Sequence, residues 1–383
     1  MLASNGMNIA VIGYPYTRQN YRAVFESPNV YFILPKIWKI KDGKAEYRTE
    51  NSSHIITTIA PFYHSHYPII GGLLKGLMPA FPWLLWKLKR EHNIKLVFEA
   101  HESTLLTTLY HGFFVKLFGM KHIVFSWENI PFSEKFSGIK GIIHELILRL
   151  NLLFSDAVVC GNTKCLDIFR ALTNKPLARI PLAGLDPEKF KPLAIRSDHE
   201  DITFIFAGAI DRRKGLHVLL PAFKKVLDTI PSAKLVLVGS GTYEKEIALQ
   251  VVDLNLPVTR ISWTNHANLI DILSRGDIFV YPSIAHGGWE EQFGYSIAEA
   301  SLMELPIIAT KSGSINEVVL DGKTGILVEA NNIQKLADAM TKLASNTSLC
   351  HEYGTTGRQY IMNNFSNGKI KECFATFFFS IQS

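Results

Sequence analysis

Two carboxylates set the chemistry this sequence can offer. They are Glu291 and Glu299, the ends of Glu291-Gln-Phe-Gly-Tyr-Ser-Ile-Ala-Glu299. Around them, Tyr281–Glu329 reads as strand, loop, helix, strand. Ile278–Tyr281 is an apolar run closed by Pro282, and a Gly-rich acidic loop follows. Ser296–Glu304 is a short amphipathic run, and Pro306–Ala309 is apolar again. Phe293-Gly294 make a turn where the helix begins. A helix start presents unbonded N–H groups and the positive end of a dipole, which suits phosphate. Carboxylates do not suit phosphate. They suit hydroxyls, such as those of a sugar or a ribose. Upstream lies a basic cluster, Arg212-Arg213-Lys214, framed by Gly208 and Gly215. Fixed cations and a helix dipole can stabilise a leaving diphosphate, the task that a divalent metal held by Asp-x-Asp performs elsewhere. The sequence contains no Asp-x-Asp.

These residues resemble the E-x7-E signature of the retaining glycosyltransferases of family 4, which have the GT-B fold. The resemblance continues through Gly313-Ser-Ile-Asn-Glu317 and Asp321-Gly-Lys-Thr-Gly325. Upstream it takes in Gly184-Leu-Asp186, Phe190, Phe206-Ala-Gly208 and Arg213-Lys214-Gly215. These landmarks stand in the family's order over roughly half the chain. Three positions depart from its pattern. Gln292 follows the first Glu where Pro or Gly is usual. Ala209 stands where an Arg usually follows the turn Gly. Gly13 is followed by Tyr14 rather than by a second Gly.

By resemblance, Glu291 contacts the hydroxyls of the transferred sugar and Glu299 the donor ribose. Lys214 takes the diphosphate, with Arg213 or Arg212 supplying the guanidinium lost at Ala209. Main-chain N–H groups at Phe293, Gly294 and Tyr295 hold sugar or phosphate, and Gly13 lies in the loop beside the donor. His101, just past the strand Ile94–Glu99, faces the donor sugar; a satisfied structural histidine is the other reading. The implied reaction moves a hexose, with retention, from a UDP- or GDP-sugar to a glycan or a polyprenyl- or lipid-linked acceptor in polysaccharide biosynthesis. It implies no metal and no cofactor. Two other readings stay open: a GT-B-like sugar-nucleotide epimerase, and a nucleotide-sugar-binding protein without turnover.

The elements that must position these groups read as α/β. Asn8–Gly13, Val30–Leu34, Ile94–Glu99, Lys121–Trp127 and Ala157–Cys160 are apolar runs of strand length, alternating with helical patterns such as Leu105–Phe118. Gly138–Phe154 has Ile142, Ile143, Leu146, Ile147 and Leu150 at helical spacing and is read as a helix with that face buried. Pro187–Asp201 has no periodicity and is read as the linker. The strand pattern restarts at Ile202–Phe206. The expected architecture is GT-B, two Rossmann-like domains facing a central cleft. Residues 1–190 form the acceptor-binding domain and 191–361 the nucleotide-sugar-binding domain. The Phe-rich tail 362–383 is too apolar to stay exposed and crosses back onto the first domain.

Composition agrees with a soluble globular chain: 383 residues, 47% hydrophobic and 19% charged. Charge is unevenly spread. Residues 1–190 hold 22 Lys/Arg against 14 Asp/Glu, or +8, and 191–383 hold 18 against 20, or −2. A basic first half suits an anionic partner such as a membrane surface. Pro68–Arg90 strengthens that reading. It is nearly uncharged until Lys87, yet Gly71, Gly72, Pro79 and Pro82 break it. An interfacial segment fits better than a span, with Trp83 and Trp86 at headgroup depth and Lys87, Lys89 and Arg90 toward anionic lipid. A helix in the first domain's core is the alternative. Nucleic acid is excluded as a partner, because the cations are not interleaved with aromatics on one element. Cys160, Cys165, Cys350 and Cys373 form no ligand pattern and read as reduced thiols. Met1–Asn8 has no basic n-region. The expected location is cytoplasmic, peripheral at the inner face of the membrane.

Overall fold

The computed structural model describes residues 7–14, 19–39, 46–62, 70–136, 138–192, 201–262 and 266–382. Residues 15–18 of the first loop, 40–45 of the basic stretch, Pro68, and 193–200 of the linker lie outside the described residues. The chain divides into two compact units, 1–184 with 367–383, and 185–366. Set against the boundaries read from sequence, 190 becomes 184 and 362 becomes 367. Gly184 marks the first crossing. A Cβ placed there would lie 2.6 Å from the Asn367 Cα, so only glycine lets the two passes of chain run this close.

The first unit runs β1 (Ile9–Ile12), α1 (Gln19–Phe25), β2 (Val30–Pro35), β3 (Ile37–Lys39), β4 (Glu46–Arg48), β5 (Ile55–Thr58), α2 (Ile70–Leu73), α3 (Phe81–His92), β6 (Leu96–Glu99), α4 (Leu106–Leu117), β7 (Lys121–Ser126), α5 (Phe132–Lys135), α6 (Ile139–Phe154), β8 (Ala157–Cys160), α7 (Thr163–Leu172) and β9 (Leu177–Arg179). The second runs β10 (Thr203–Ala207), α8 (Leu216–Leu227), β11 (Lys234–Val238), α9 (Glu244–Asp253), β12 (Val258–Ile261), α10 (His266–Ser274), β13 (Ile278–Tyr281), α11 (Tyr295–Leu302), β14 (Ile307–Thr310), β15 (Gly325–Val328), α12 (Ile333–Ala344) and α13 (Thr347–Phe365). α14 (Asn367–Ser380) returns to the first unit.

Each unit is a parallel sheet with helices on both faces. Among the described residues the first orders its strands β5-β2-β1-β6-β7-β8-β9 and the second β12-β11-β10-β13-β14-β15. The central strands are near-continuous apolar runs because helices cover them on both sides, whereas the edge strands β5, β9 and β12 are only partly buried and β3–β4 form a separate antiparallel pair. Both orders reverse direction once, between β1 and β6 in the first unit and between β10 and β13 in the second. Open α/β sheets bind ligands at the carboxyl ends of the strands flanking such a reversal. α14 is held by aromatic packing. Its Phe374 and Phe378 stack within the cluster of Phe25 and Phe98, at ring separations of 4.7 Å (Phe25–Phe374) and 5.3 Å (Phe98–Phe374 and Phe98–Phe378).

The sequence-based reading of the helix at 138–154 needs correction. α6 buries Ile147, Leu148, Asn151 and Leu152, while Ile142, Ile143 and Leu146 are exposed and Leu150 is half-buried. The helix carries apolar residues on two faces, and the sheet takes the other one.

Candidate active site

At the switch point of the second unit, β10 leads into the turn that bears Lys214, and β13 leads into the loop that bears Glu291. The turn is a short 3-10 helix, Arg212–Lys214, capped by Asp211, whose carboxylate accepts from the Arg213 N–H at 2.9 Å. Gly215 closes it at φ +69, where a Cβ would fall 1.9 Å from the Pro282 carbonyl oxygen. The glycine is what lets this turn press against the end of β13.

Lys214 Nζ donates to Glu291 Oε2 at 2.5 Å and to Tyr281 Oη at 2.6 Å. Tyr281 in turn donates to Glu291 Oε2 at 3.0 Å, and Ser283 Oγ lies 3.4 Å from the same oxygen. The Lys214 and Glu291 side chains are only 9% and 10% exposed. Trp289 covers the pair, its ring centroid 4.7 Å from Lys214 Nζ. The two residues singled out for catalysis in this unit are therefore one ion pair. Arg213 also lies over the Trp289 ring, at 4.2 Å from its centroid, and its guanidinium is gripped by Asp211 at 2.6 Å. Arg212 reaches Tyr243 Oη at 3.3 Å.

Beyond Glu291 the chain is locked from two sides. Its carbonyl accepts from the Ser314 N–H at 2.9 Å, and a Cβ on Gly313 would sit 2.0 Å from that same oxygen. Phe293 is buried, Gly294 takes φ +86 as the N-cap of α11, and Tyr295 opens the helix. Glu299, midway along α11, is 1% exposed.

The first unit places its two candidates at its own switch point. Gly13 follows β1, and a Cβ there would meet Tyr21 Oη at 2.4 Å. His101 follows β6 and stacks on Tyr14 at 5.2 Å. Its Nε2 lies 2.7 Å from Glu99 Oε1. Glu99 is the hub of a buried cluster that the sequence reading missed. His111 Nδ1 of α4 bonds the same oxygen at 2.7 Å, and His122 Nε2 of β7 bonds Oε2 at 2.9 Å. All but His101 have fully buried side chains. The β6–β7 register pairs Val97 with His122 and Glu99 with Val124, so Glu99 and His122 share a face and meet diagonally. α4 can approach them because residue 112 is glycine. A Cβ there would lie 2.9 Å from His122 Nδ1.

Charge in this cluster follows from its geometry. Burial pushes Glu99 up, but the charges and N–H bonds of His101 and His111 outweigh it and hold the carboxyl well below the usual range. Burial lowers His101, yet Glu99 and then Glu102 overcome it and raise the imidazole above its ordinary value. For His111 burial prevails over Glu99, and repulsion from the other two histidines adds to it, so its value is lowered. The surroundings thus favour the protonated form of His101 and the neutral form of His111. The unbonded, buried Nε2 of His111 agrees with a neutral ring whose Nδ1 donates. Glu99, His101 and His111 are also the one group among the described residues whose ligand atoms, all within 4.8 Å, could hold a metal. The histidine contacts to Glu99, at 2.7 Å, are of hydrogen-bond length. Beside them Lys75, the charge within the interrupted apolar segment, pairs with Glu102 at 2.7 Å.

Residues 188–360, nearly all of the second unit, match the family described as glycosyl transferases group 1. The fold is of the GT-B type. Sucrose-phosphate synthase from Thermosynechococcus elongatus has a TM-score of 0.76 at 20% identity, covering 98% of this chain and 99% of that one. Anabaena HepE in complex with UDP has a TM-score of 0.74 at 15% identity, covering 98% and 100%. By sequence, the GDP-mannose-dependent monoacylated alpha-(1-6)-phosphatidylinositol monomannoside mannosyltransferase of Corynebacterium glutamicum is 30% identical over 156 residues, 40% of this chain and 41% of the relative. The chain spans under half the length of the first curated relatives it matches.

Proposed function

We propose that this chain is a retaining glycosyltransferase of family 4 that moves a hexose from a UDP- or GDP-sugar to a glycan or lipid-linked acceptor in polysaccharide biosynthesis. It works without a metal, in the cytoplasm, peripherally at the inner membrane face. The observation that carries the reading is the buried Lys214–Glu291 pair at the β10/β13 switch point, ahead of the start of α11. The group 1 match over the same segment supports it, and so do the UDP of the HepE structure and the GDP-mannose of the corynebacterial relative.

In this mechanism the bond between the sugar anomeric carbon and the leaving diphosphate oxygen breaks. The acceptor oxygen bonds to that carbon on the same face, and its proton passes to the leaving phosphate. Nucleoside diphosphate is the second product. Lys214, already desolvated and aimed, shares its ammonium with the departing diphosphate. Arg213 or Arg212 and the N–H groups at Phe293, Gly294 and Tyr295 add further positive field. Glu291 accepts from the sugar hydroxyls, Glu299 from the ribose. Release of nucleoside diphosphate that requires acceptor tests the reading. Release without acceptor dependence, or donor binding with no release, overturns it in favour of an epimerase or a binding protein.

Turnover is expected to persist in EDTA, since Lys214 occupies the role an Asp-x-Asp metal would fill. Complete loss that only divalent metal restores would refute this. The two carboxylates should fail differently. Glu291 contacts the reacting sugar, so Glu291→Gln should lower kcat more than it raises donor KM. Glu299 grips a part that does not react, so Glu299→Gln should chiefly raise KM. Calorimetry with bare nucleoside diphosphate separates them: Glu299→Gln weakens that binding. Should Glu299→Gln bind it like wild type while Glu291→Gln does not, the two assignments are reversed.

A further inference from the structure

Nine of the fourteen exposed large apolar side chains among the described residues lie on three adjacent helices of the first unit. α3 packs against α4, and α4 against α6, forming one layer over the sheet. α6 contributes Ile139, Ile142, Ile143, Leu146 and Leu153, 44% to 76% exposed. Their spacing places them on one stripe of about 100° at ~3.6 residues per turn. The buried Ile147, Leu148, Asn151 and Leu152 lie on the opposite side. α6 is thus apolar on two faces, and the unit covers only one. α4 adds Phe113 and Leu117 one turn apart, and α3 adds Trp83 and Trp86.

Charge identifies the occupant. The three helices carry Lys87, Lys89, Arg90, Lys116, Lys140 and Arg149 against Glu91 and Glu145, or +4. Lys87 lies over the Trp83 ring at 5.7 Å and Arg90 over the Trp86 ring at 5.5 Å. Protein interfaces deplete lysine at their apolar centres. An aliphatic stripe with tryptophan and cations beside it matches the boundary between headgroups and acyl chains of an anionic membrane. No helix among the described residues is long and apolar enough to cross a bilayer, so the contact is one of surface insertion.

We propose that the outer face of α3, α4 and α6, centred on the exposed stripe of α6, docks this chain onto an anionic lipid bilayer. The surface stands on its own geometry; its use to reach a lipid-linked acceptor rests on the proposed function. It places most of the insertion on α6, beyond the Pro68–Arg90 segment.

Co-sedimentation of the full chain with vesicles of phosphatidylcholine, alone or with roughly a third phosphatidylglycerol, tests this. Binding is expected to the anionic vesicles and to weaken with salt. Ile142→Asn with Leu146→Asn should lower the partition coefficient by about 100-fold, since each buried methylene counts. Trp83→Ser with Trp86→Ser should lower it by about 10-fold. Both pairs are exposed, so thermal melting should stay unchanged; should the Asn pair misfold, Leu153→Asn alone gives the same direction. The proposal falls if wild-type chain pellets with neither vesicle, or if the Asn pair binds as wild type does. It also falls if sedimentation velocity shows a dimer that this pair abolishes, without vesicle binding. Nucleoside diphosphate calorimetry on the same variants keeps the two readings apart. Vesicle binding without nucleotide binding upholds the docking face and sinks glycosyl transfer; nucleotide binding without vesicle binding sinks the docking face alone, and acceptor-dependent release then decides glycosyl transfer.

Discussion

Lys214→Ala is expected to lower turnover by about 10²–10³, the scale for removing one preorganised charge contact at a developing anion. The geometry adds a second expectation. Lys214 is the cation on Glu291, and both side chains are about nine-tenths buried. Removing one member of such a pair leaves a buried charge, at a cost that reaches about 3–5 kcal/mol. Tyr281 still donates to Glu291 Oε2 and softens the loss. The variant should therefore melt earlier as well as turn over slowly, and a rate measured near its melting point would mislead. Lys214→Met combined with Glu291→Gln removes both charges, leaves no ion unpaired and should recover most of the stability. It should recover none of the turnover. A double variant that regains activity with stability would mean that Lys214 acts only through folding. An unchanged rate in Lys214→Ala would move the diphosphate site elsewhere.

The turn bearing Lys214 was legible in sequence because glycine frames and buried strands leave local marks. Thr203–Ala207 and Ile278–Tyr281 are short apolar runs, each closed by a turn residue, and both are central parallel strands. That the two lie side by side was not local information. It follows from sheet order, which places Tyr281 against Lys214 and Ser283 against the Arg213 carbonyl and Glu291. Asp211 was within reach, since an Asp ahead of a tight basic turn is an ordinary capping signal. α6 was misread for a different reason. Helical periodicity reports that a face is apolar, not which apolar face a sheet will cover, and α6 has two. The histidine cluster left no mark at all. Glu99, His111 and His122 stand on three successive elements, and only strand register and the glycine at 112 bring them together.

Glu99→Gln should therefore be among the most damaging single substitutions outside the Lys214 turn. The carboxylate is fully buried and accepts three N–H groups, from His101, His111 and His122. An amide can accept from some of them but carries no charge, and its own NH2 would face another N–H donor. His101, which holds its proton against burial because of Glu99, would lose its counter-ion. The expected loss is about 3–5 kcal/mol of stability, the scale for breaking a buried pair. Acidity gives a signature that simple core damage lacks. With a raised folded value, His101 contributes stability that is complete below its unfolded value of about 6.5 and fades as pH rises through the folded one. His111, lowered by burial, does the opposite: its neutral folded form costs nothing above about 6.5, and stability falls as pH drops below that. Glu99, held low, contributes above about 4.3 and loses it as acid titrates the folded carboxyl. The two histidines together give the wild-type cluster its largest contribution near pH ~6.5. In Glu99→Gln the His101 limb should shrink, because only the weaker pull of Glu102 then sustains the imidazole, and the melting temperature should fall less between neutral and alkaline pH. Glu99→Gln combined with His101→Gln should melt higher than Glu99→Gln alone, since the orphaned cation is gone. Thermal melts of the full chain across pH 5 to 9, with the His101 resonance followed in parallel, read all three limbs. A Glu99→Gln protein as stable as wild type, with the same pH profile, would show that the cluster holds no charge.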